Sequence, residues 1–317
     1  MTRIDFITEC TKYLALRGSL GIRTDQIGPL LEKLAKYLSD RCRNEVVRPQ
    51  HILDWVCLQD YSPSTQHVRL SAARVFLKHL KAFVPEIEIP SNNLIRRRQR
   101  SEPFVFSKSQ LLEFLEMAGK LDSRKSLAPL TVQTILGLMA CTGLRPGEAM
   151  RLKTSQVLLD ACPPRLLIFR TKFSKTRWVP LHSTTVDHLR RYLNLRNELT
   201  NGTDSDVFFV SKKARPINRI TLHRIFQQLI TQTGIRARSG QLRPTLHSLR
   251  HTFAILRLKR WYSEGQDVRG LLPNLSVYLG HVDPASSYWY LTCAPELMTA
   301  AAQRFEMYAG KQKGGQR

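Results

Sequence analysis

The sequence predicts a mainly α-helical protein with one small antiparallel β-sheet, divided into an all-helical N-terminal part and a larger mixed part. Three observations predict it. From about residue 8 to 84, apolar side chains recur at helical spacing. The stretch RLLIFRTKFSKTRWVPL, at 165–181, has two short β-prone runs about a polar centre, the outline of a hairpin. Between the two patterns, PSNNLIRRRQRSEPF at 90–104 combines helix breakers with arginines and has little to bury, which reads as a linker. A length of 317 residues suits two domains. The expected division is a helical domain over 1–94, a basic linker over 95–104 and a second domain over 105–317.

Within the first domain, Ile27, Leu30, Leu34 and Leu38 mark one amphipathic helix, and Leu70, Ala73, Leu77, Leu80 and Val84 mark another. On the second helix Arg74, Lys78 and Lys81 recur at the same period, so an apolar face is backed by a basic one. The second domain opens at SKSQLLEFLEMAGK, where Ser107 can cap a helix and Gln110 complete a capping box. TVQTILGLMACTG is apolar almost all round, as a helix buried in a core should be, with Gly143 suited to its C-cap. In CTGLRPGEAMRL, Pro146 primes a new helix and Arg145 lies in the turn. Helical patterns continue through TLHSLRHTFAILRL, where Leu246, Leu249, Phe253 and Leu256 form a core stripe, and PASSYWYL reads as a short helix. In the tail, Leu297, Ala301, Phe305 and Tyr308 share one helical face.

Charge narrows the function. Lys and Arg number 49 against 25 Asp and Glu, a net +24 that far exceeds what solubility needs. A polyanion is the expected partner. Both parts share the excess: residues 1–100 hold 17 basic and 10 acidic side chains, and residues 101–317 hold 32 and 15. No apolar run approaches a membrane span and no signal-peptide pattern opens the chain, which points to a soluble, intracellular protein. Six scattered cysteines without a C-x-x-C pair suggest neither a zinc site nor a disulfide framework. There is no Walker A pattern, and the motif regions lack the acidic cluster of a two-metal nuclease, so neither metal nor cofactor is expected.

Singly, the polar candidates are ambiguous. Arg145 can cap carbonyls or, oriented by Glu148, form an anion clamp. His247 and Arg250, three apart, can grip a phosphate together; His251, one residue past Arg250, reads as structural. Lys172 and Lys175 fall at the hairpin tip, where lysines are common, and His281 can be a satisfied buried histidine. Their order is more specific than any one of them. Arg145 with Glu148, Lys172 in a hairpin, His247-x-x-Arg250, Leu279-Gly280-His281 and a tyrosine nine residues further on follow the order and approximate spacing of the tyrosine recombinases. From about residue 105 onward the sequence resembles the phage integrase family, with TGLRPGEA, HSLRHTFA and LGH near-verbatim. The N-terminal part is similar only in being small, helical and basic. One departure is that GQDVRGLLPNLSVYLGH is a few residues longer than the family pattern, which leaves a loop there of unassigned path.

The resemblance implies a helical DNA core-binding domain followed by a mixed α/β tyrosine-recombinase catalytic domain. It implies Arg145 and Arg250 as clamping arginines, with His247, His281 and Lys172 completing a catalytic site around the nucleophile Tyr290. In that chemistry two guanidiniums offset the charge that grows on a phosphodiester under attack, His247 accepts the tyrosine proton, and Lys172 protonates the leaving 5′ oxygen, with Lys175 the alternative. The covalent phosphotyrosine conserves the bond energy, so rejoining needs no ATP. Tyr288, two residues away on a short helix, is expected to face into packing instead. Arg74, Lys78, Lys81, Arg96, Arg97, Arg98, Arg100, Lys175 and Arg177 are the expected contacts to double-stranded DNA, with the two parts closing on the duplex as a clamp. A homo-tetramer on DNA, docked through the C-terminal tail, a bacterial cytoplasmic, nucleoid-associated location and a mobile-element origin complete the expectation. A type IB topoisomerase-like enzyme and a non-catalytic DNA-binding protein are the alternatives.

Overall fold

The computed structural model describes residues 4–42, 45–95, 102–121, 127–169, 176–200, 205–211, 215–281 and 283–293. The chain divides into two units, residues 1–100 and 101–317.

The first unit has four described helices: α1 (Phe6–Ser19), α2 (Gly28–Arg41), α3 (Pro49–Val56) and α4 (Pro63–Lys81). Their starts are written locally. Asp5 accepts from the free backbone N–H groups of Ile7 and Thr8 at 3.1 and 3.2 Å, and Ser62 accepts from Thr65 N–H at 3.3 Å. Leu34, Leu38, Ile52, Trp55, Leu70, Phe76 and Leu77 close a dry core in which none is more than 2% exposed. The guanidinium of Arg69 enters this core between Trp55 and Tyr61, 3.8 and 4.5 Å from their ring centroids, and donates to the Trp55 carbonyl at 2.7 Å. Opposite the apolar face of α4, Lys78 and Lys81 are exposed and Arg74 half-buried.

The second unit begins with α5 (Lys108–Gly119), started by the expected Ser107–Gln110 capping box. Next come α6 (Ala128–Thr142) and the short α7 (Pro146–Met150). Strands β1 (Val157–Leu158), β2 (Arg165–Ile168) and β3 (Arg177–Pro180) form an antiparallel sheet in that order, with Leu166 opposite Val179 and Ile168 opposite Arg177. Helices α8 (Ser183–Leu199), α9 (Arg219–Gln232), α10 (Leu246–Ser263), α11 (Val268–Leu279) and α12 (Ala285–Cys293) follow. Helix α6 is the central post, packed by α5, α8 and α10, which is why it is apolar on nearly every side. The far half of α10 builds a smaller cluster with α11 and α12 from Ile255, Leu258, Leu272, Leu275, Leu279 and Tyr290.

Two expectations need correction here. The segment expected as a loop before Leu279-Gly280-His281 is helix α11, started by Asp267, whose carboxylate accepts from Arg269 N–H at 3.1 Å. Tyr288 does not face into packing: it is 47% exposed, because the inward side of α12 is taken by Ser287 and Tyr290.

Candidate active site

Two helix ends converge on the site. Helix α6 stops at Gly143 and α11 at Gly280, both in the left-handed conformation with φ of 64° and 68°. The last carbonyls of a helix lack N–H partners and lie at the negative end of its dipole, so cations gather there. Three arginines do. Arg250, on α10, donates to the carbonyls of Gly143 and Leu279 at 2.8 and 2.7 Å. Arg145 donates to Gly280 at 2.8 Å and Arg177 to Tyr278 at 2.8 Å. The glycines also leave room, since a Cβ at Gly143 would lie 2.6 Å from Phe253 and one at Gly280 2.8 Å from the Arg177 guanidinium.

Glu148, on α7, ties two of these arginines together. It accepts from the Arg145 backbone at 3.0 Å and guanidinium at 2.8 Å, and from Arg177 at 2.7 and 3.2 Å. Burial by itself raises its carboxyl pKa, yet the hydrogen bonds and charge of Arg177, joined by those of Arg145, outweigh that and hold it at about 2. Glu148 therefore stays ionised and fixes Arg145, whose side chain keeps 27% of its surface open. Arg177, expected as a DNA contact, is buried between Glu148 and the Tyr278 carbonyl and faces no solvent groove. Arg250 likewise does not project from a helix face: it is 1% exposed, within the α10 stripe. Its burial, with Arg145 beside it, lowers its guanidinium pKa to about 10.

Above the arginines stand three histidines and a tyrosine. His247 opens α10 with an exposed edge, and His251 lies one turn on, its ring edge-on to that of His247 at 4.8 Å between centroids. His281 follows the Gly280 cap and shares a 2.7 Å hydrogen bond between Nδ1 and the hydroxyl of Ser287. Tyr290 is 2% exposed, its ring stacked near His281 at 6.2 Å and its hydroxyl 3.1 Å from Nδ1 of His251. Desolvation, then the charges of Arg250 and Arg145, lower His247 to about 4. Water at its open edge softens the first cause. Burial, then the neighbouring His247, Arg250 and His281, lower His251 to about 3, and burial, then Arg250 and Arg145, lower His281 to about 3. All three are neutral near pH 7. Lys172, Lys175, Arg96, Arg97, Arg98, Arg100 and the tail after residue 293 lie outside the described residues. Among the described residues, no three His, Cys, Asp or Glu side chains are grouped to hold a metal ion.

Residues 105–296 match the model of the "Phage integrase family". The chain belongs to that family. It is a tyrosine recombinase, an enzyme that cleaves and rejoins DNA strands. It is 39% identical over 301 residues to "Putative integrase/recombinase y4rB" of Sinorhizobium fredii (strain NBRC 101917 / NGR234), covering 93% of this chain and 95% of that one. Its fold is similar to XerH site-specific recombinase bound to palindromic difH substrate, with TM-score 0.68, 21% identity and 94% and 83% of the two chains covered. It is similar too to a lambda integrase tetramer bound to a Holliday junction, with TM-score 0.62, 14% identity and 91% and 78% covered.

Of the six catalytic residues expected from the recombinase motifs, Arg145, His247, Arg250, His281 and Tyr290 meet at this one place, while Lys172 is not described. Arg74, Lys78 and Lys81 belong to the other unit. Sequence reasoning missed three members of the site. Arg177 was readable from the strand period of two, since Val179 faces the core and Arg177 must face the same way. His251 is four residues past His247 and so shares its face of α10. Ser287, buried beneath His281, carried no signal beyond its place in a short helix.

No described helix is long and apolar enough to cross a membrane.

Proposed function

We propose that the recombinase is site-specific, that Tyr290 is its nucleophile and that it is encoded by a mobile element, forming a 3′-phosphotyrosine link to DNA with release of a 5′ hydroxyl. The observation that carries the assignment is the meeting of the Tyr290 ring, His251, His281 and the two clamping arginines at the ends of α6 and α11. In this reading Arg145 and Arg250 neutralise the two non-bridging oxygens as charge builds on them, and His247 and His281, neutral donors beside the guanidiniums, complete the cradle. Lys172 gives its proton to the departing 5′ oxygen. Glu148 and Arg177 keep the arginines aimed and touch no DNA. The reaction uses no metal or ATP.

Lys78 and Lys81, with Arg74, the linker arginines Arg96, Arg97, Arg98 and Arg100, and Lys175, supply phosphate contacts. The active assembly is a homo-tetramer on double-stranded DNA, joined through the apolar face of the C-terminal tail, and it works at the bacterial nucleoid. The lambda integrase tetramer supports the first point, and the integrase name of the Sinorhizobium relative supports the mobile-element origin.

The test exchanges two tyrosines that α12 holds two residues apart. Tyr290→Phe removes one hydroxyl and keeps the ring, so it should fold and bind DNA but trap no DNA covalently in cells. Tyr288→Phe, altering an exposed side chain, should keep the adduct. Mass spectrometry of the DNA-linked peptide, and sequencing of the attached DNA, identify both the residue and the site. An adduct on Tyr288, or one persisting in Tyr290→Phe, would refute the assignment.

A further inference from the structure

The Tyr290 hydroxyl cannot attack phosphorus while it keeps its proton, so some group beside it must take that proton. Nδ1 of His251 is 3.1 Å from the hydroxyl, within ordinary hydrogen-bond distance. The ring is held edge-on to those of His247, Trp289 and Tyr290, with centroids at 4.8, 5.5 and 5.6 Å, so aromatic neighbours fix its orientation. His281 points its own Nδ1 at Ser287. His247 stands at the open edge of the site, its ring edge-on to that of His251, which in turn is edge-on to that of Tyr290.

We propose that His251 is a catalytic residue of this recombinase, the base that receives the Tyr290 proton on Nδ1; the proposal rests on Tyr290 being the nucleophile. The neutral imidazole has one acceptor nitrogen, assigned here to Nδ1 with the ring proton on Nε2. As the Tyr290 oxygen bonds to phosphorus, its O–H bond breaks and an N–H bond forms at His251, while the bond from phosphorus to the 5′ oxygen breaks. The proton on that leaving oxygen comes from Lys172 and is a separate transfer. Burial and its cationic neighbours keep His251 unprotonated before DNA arrives, so it is free to accept. A phosphodiester seated on Arg145 and Arg250 offsets the positive charge that depresses the ring, strengthening the base when substrate is present. In reverse, the imidazolium returns the proton as the strand is resealed.

The experiment uses the full chain and a nicked duplex carrying the cleavage sequence recovered from the wild-type adduct, made with an ordinary 5′ oxygen or with a bridging 5′ sulfur at the scissile phosphate. The sulfur leaves as a thiolate and needs no proton. His251→Asn retains a polar atom near the position of Nδ1 but cannot take a proton, and His251→Phe retains the ring packing. Both should bind the duplex and melt close to wild type. Both should form adduct about 10²-fold or more slowly with either substrate, the scale of a lost general base. Lys172→Ala should be slow with oxygen and recover with sulfur. Adduct formation by His251→Asn at the wild-type rate, or its recovery with sulfur, would overturn the role of His251. A wild-type chain that forms no adduct, or an adduct surviving in Tyr290→Phe, would instead overturn the reading of Tyr290 and the proposal with it.

Discussion

Arg177 and Glu148 form a two-point pair with both side chains under 10% exposed, and a buried pair behaves unlike a surface one. Removing one member strands the other charge, at a cost of about 3–5 kcal/mol. In Arg177→Ala, Glu148 would keep its pairing with Arg145 and lose only the two bonds from Arg177, so the cost should lie below that of a fully stranded carboxylate, and the aim of Arg145 would loosen. The expected outcome is a moderate fall in melting temperature and a larger one in adduct formation. The salt dependence of DNA binding should not change, because its slope counts phosphate contacts and Arg177 makes none. A shallower slope in Arg177→Ala would restore it as a DNA ligand. The contrast with Arg145 shows which part of this cluster the residue sequence discloses. Turn chemistry placed Arg145 beside Glu148, three residues away. Nothing local could reveal that Glu148 also faces Arg177, 29 residues on in a strand.

At the scale of elements, much was written locally and was legible. The capping box of α5, the all-round apolarity of α6 and its glycine stop depend on residues close in sequence, and the hairpin pairs strands only 9 to 15 positions apart. Helix α11 was not legible as a helix, because Pro273 and Gly270 interrupt its pattern and it is held by packing on α10 and α12. The glycine stops matter beyond ending helices, since they aim the carbonyls that hold the arginines. Gly280→Ala should cost about 1–2 kcal/mol for a left-handed non-glycine residue. It should also push the Arg177 guanidinium aside, since the new Cβ lies 2.8 Å from it. Gly137, in the middle of α6, has no atom within 4 Å of a built Cβ. Gly137→Ala should therefore gain about 0.5–1 kcal/mol through lost unfolded-chain freedom. Melting curves of the two variants should move in opposite directions, with adduct formation reduced in Gly280→Ala alone. A neutral Gly280→Ala would mean that the turn tolerates a side chain and does not aim these arginines.

For the whole molecule, the +24 charge draws DNA in but burdens the empty protein, and the site concentrates that burden. Arg250 is lowered to about 10 and His247, His251 and His281 to about 4, 3 and 3, first because burial strips water from the charged form and then because each meets positive or ionisable neighbours. The histidine shifts have a definite sign. Unfolded histidines take up protons as pH falls below about 6.5, whereas these three resist until far lower pH, so the unfolded chain binds more protons across that interval. The stability that comes from keeping them neutral is fully present above about 6.5 and is lost as pH falls toward 4. Glu148, lowered to about 2, contributes stability that is lost only below its ordinary value of 4.5, so it does not enter between pH 7 and 5. The melting temperature should therefore drop steadily from pH 7 to 5. General charge repulsion would add to the drop at low ionic strength. In about 0.5 M salt, where the screening length is only a few ångströms, that part is suppressed while the buried-ring part remains. Adding the cognate duplex at moderate salt should flatten the profile, because its phosphate supplies the negative charge that lets the rings accept protons in the folded state. A melting temperature constant from pH 7 to 5 in high salt would show that the histidines titrate in the fold as they do in water. It would also remove the picture of a site held in an uncompensated cationic state until DNA binds.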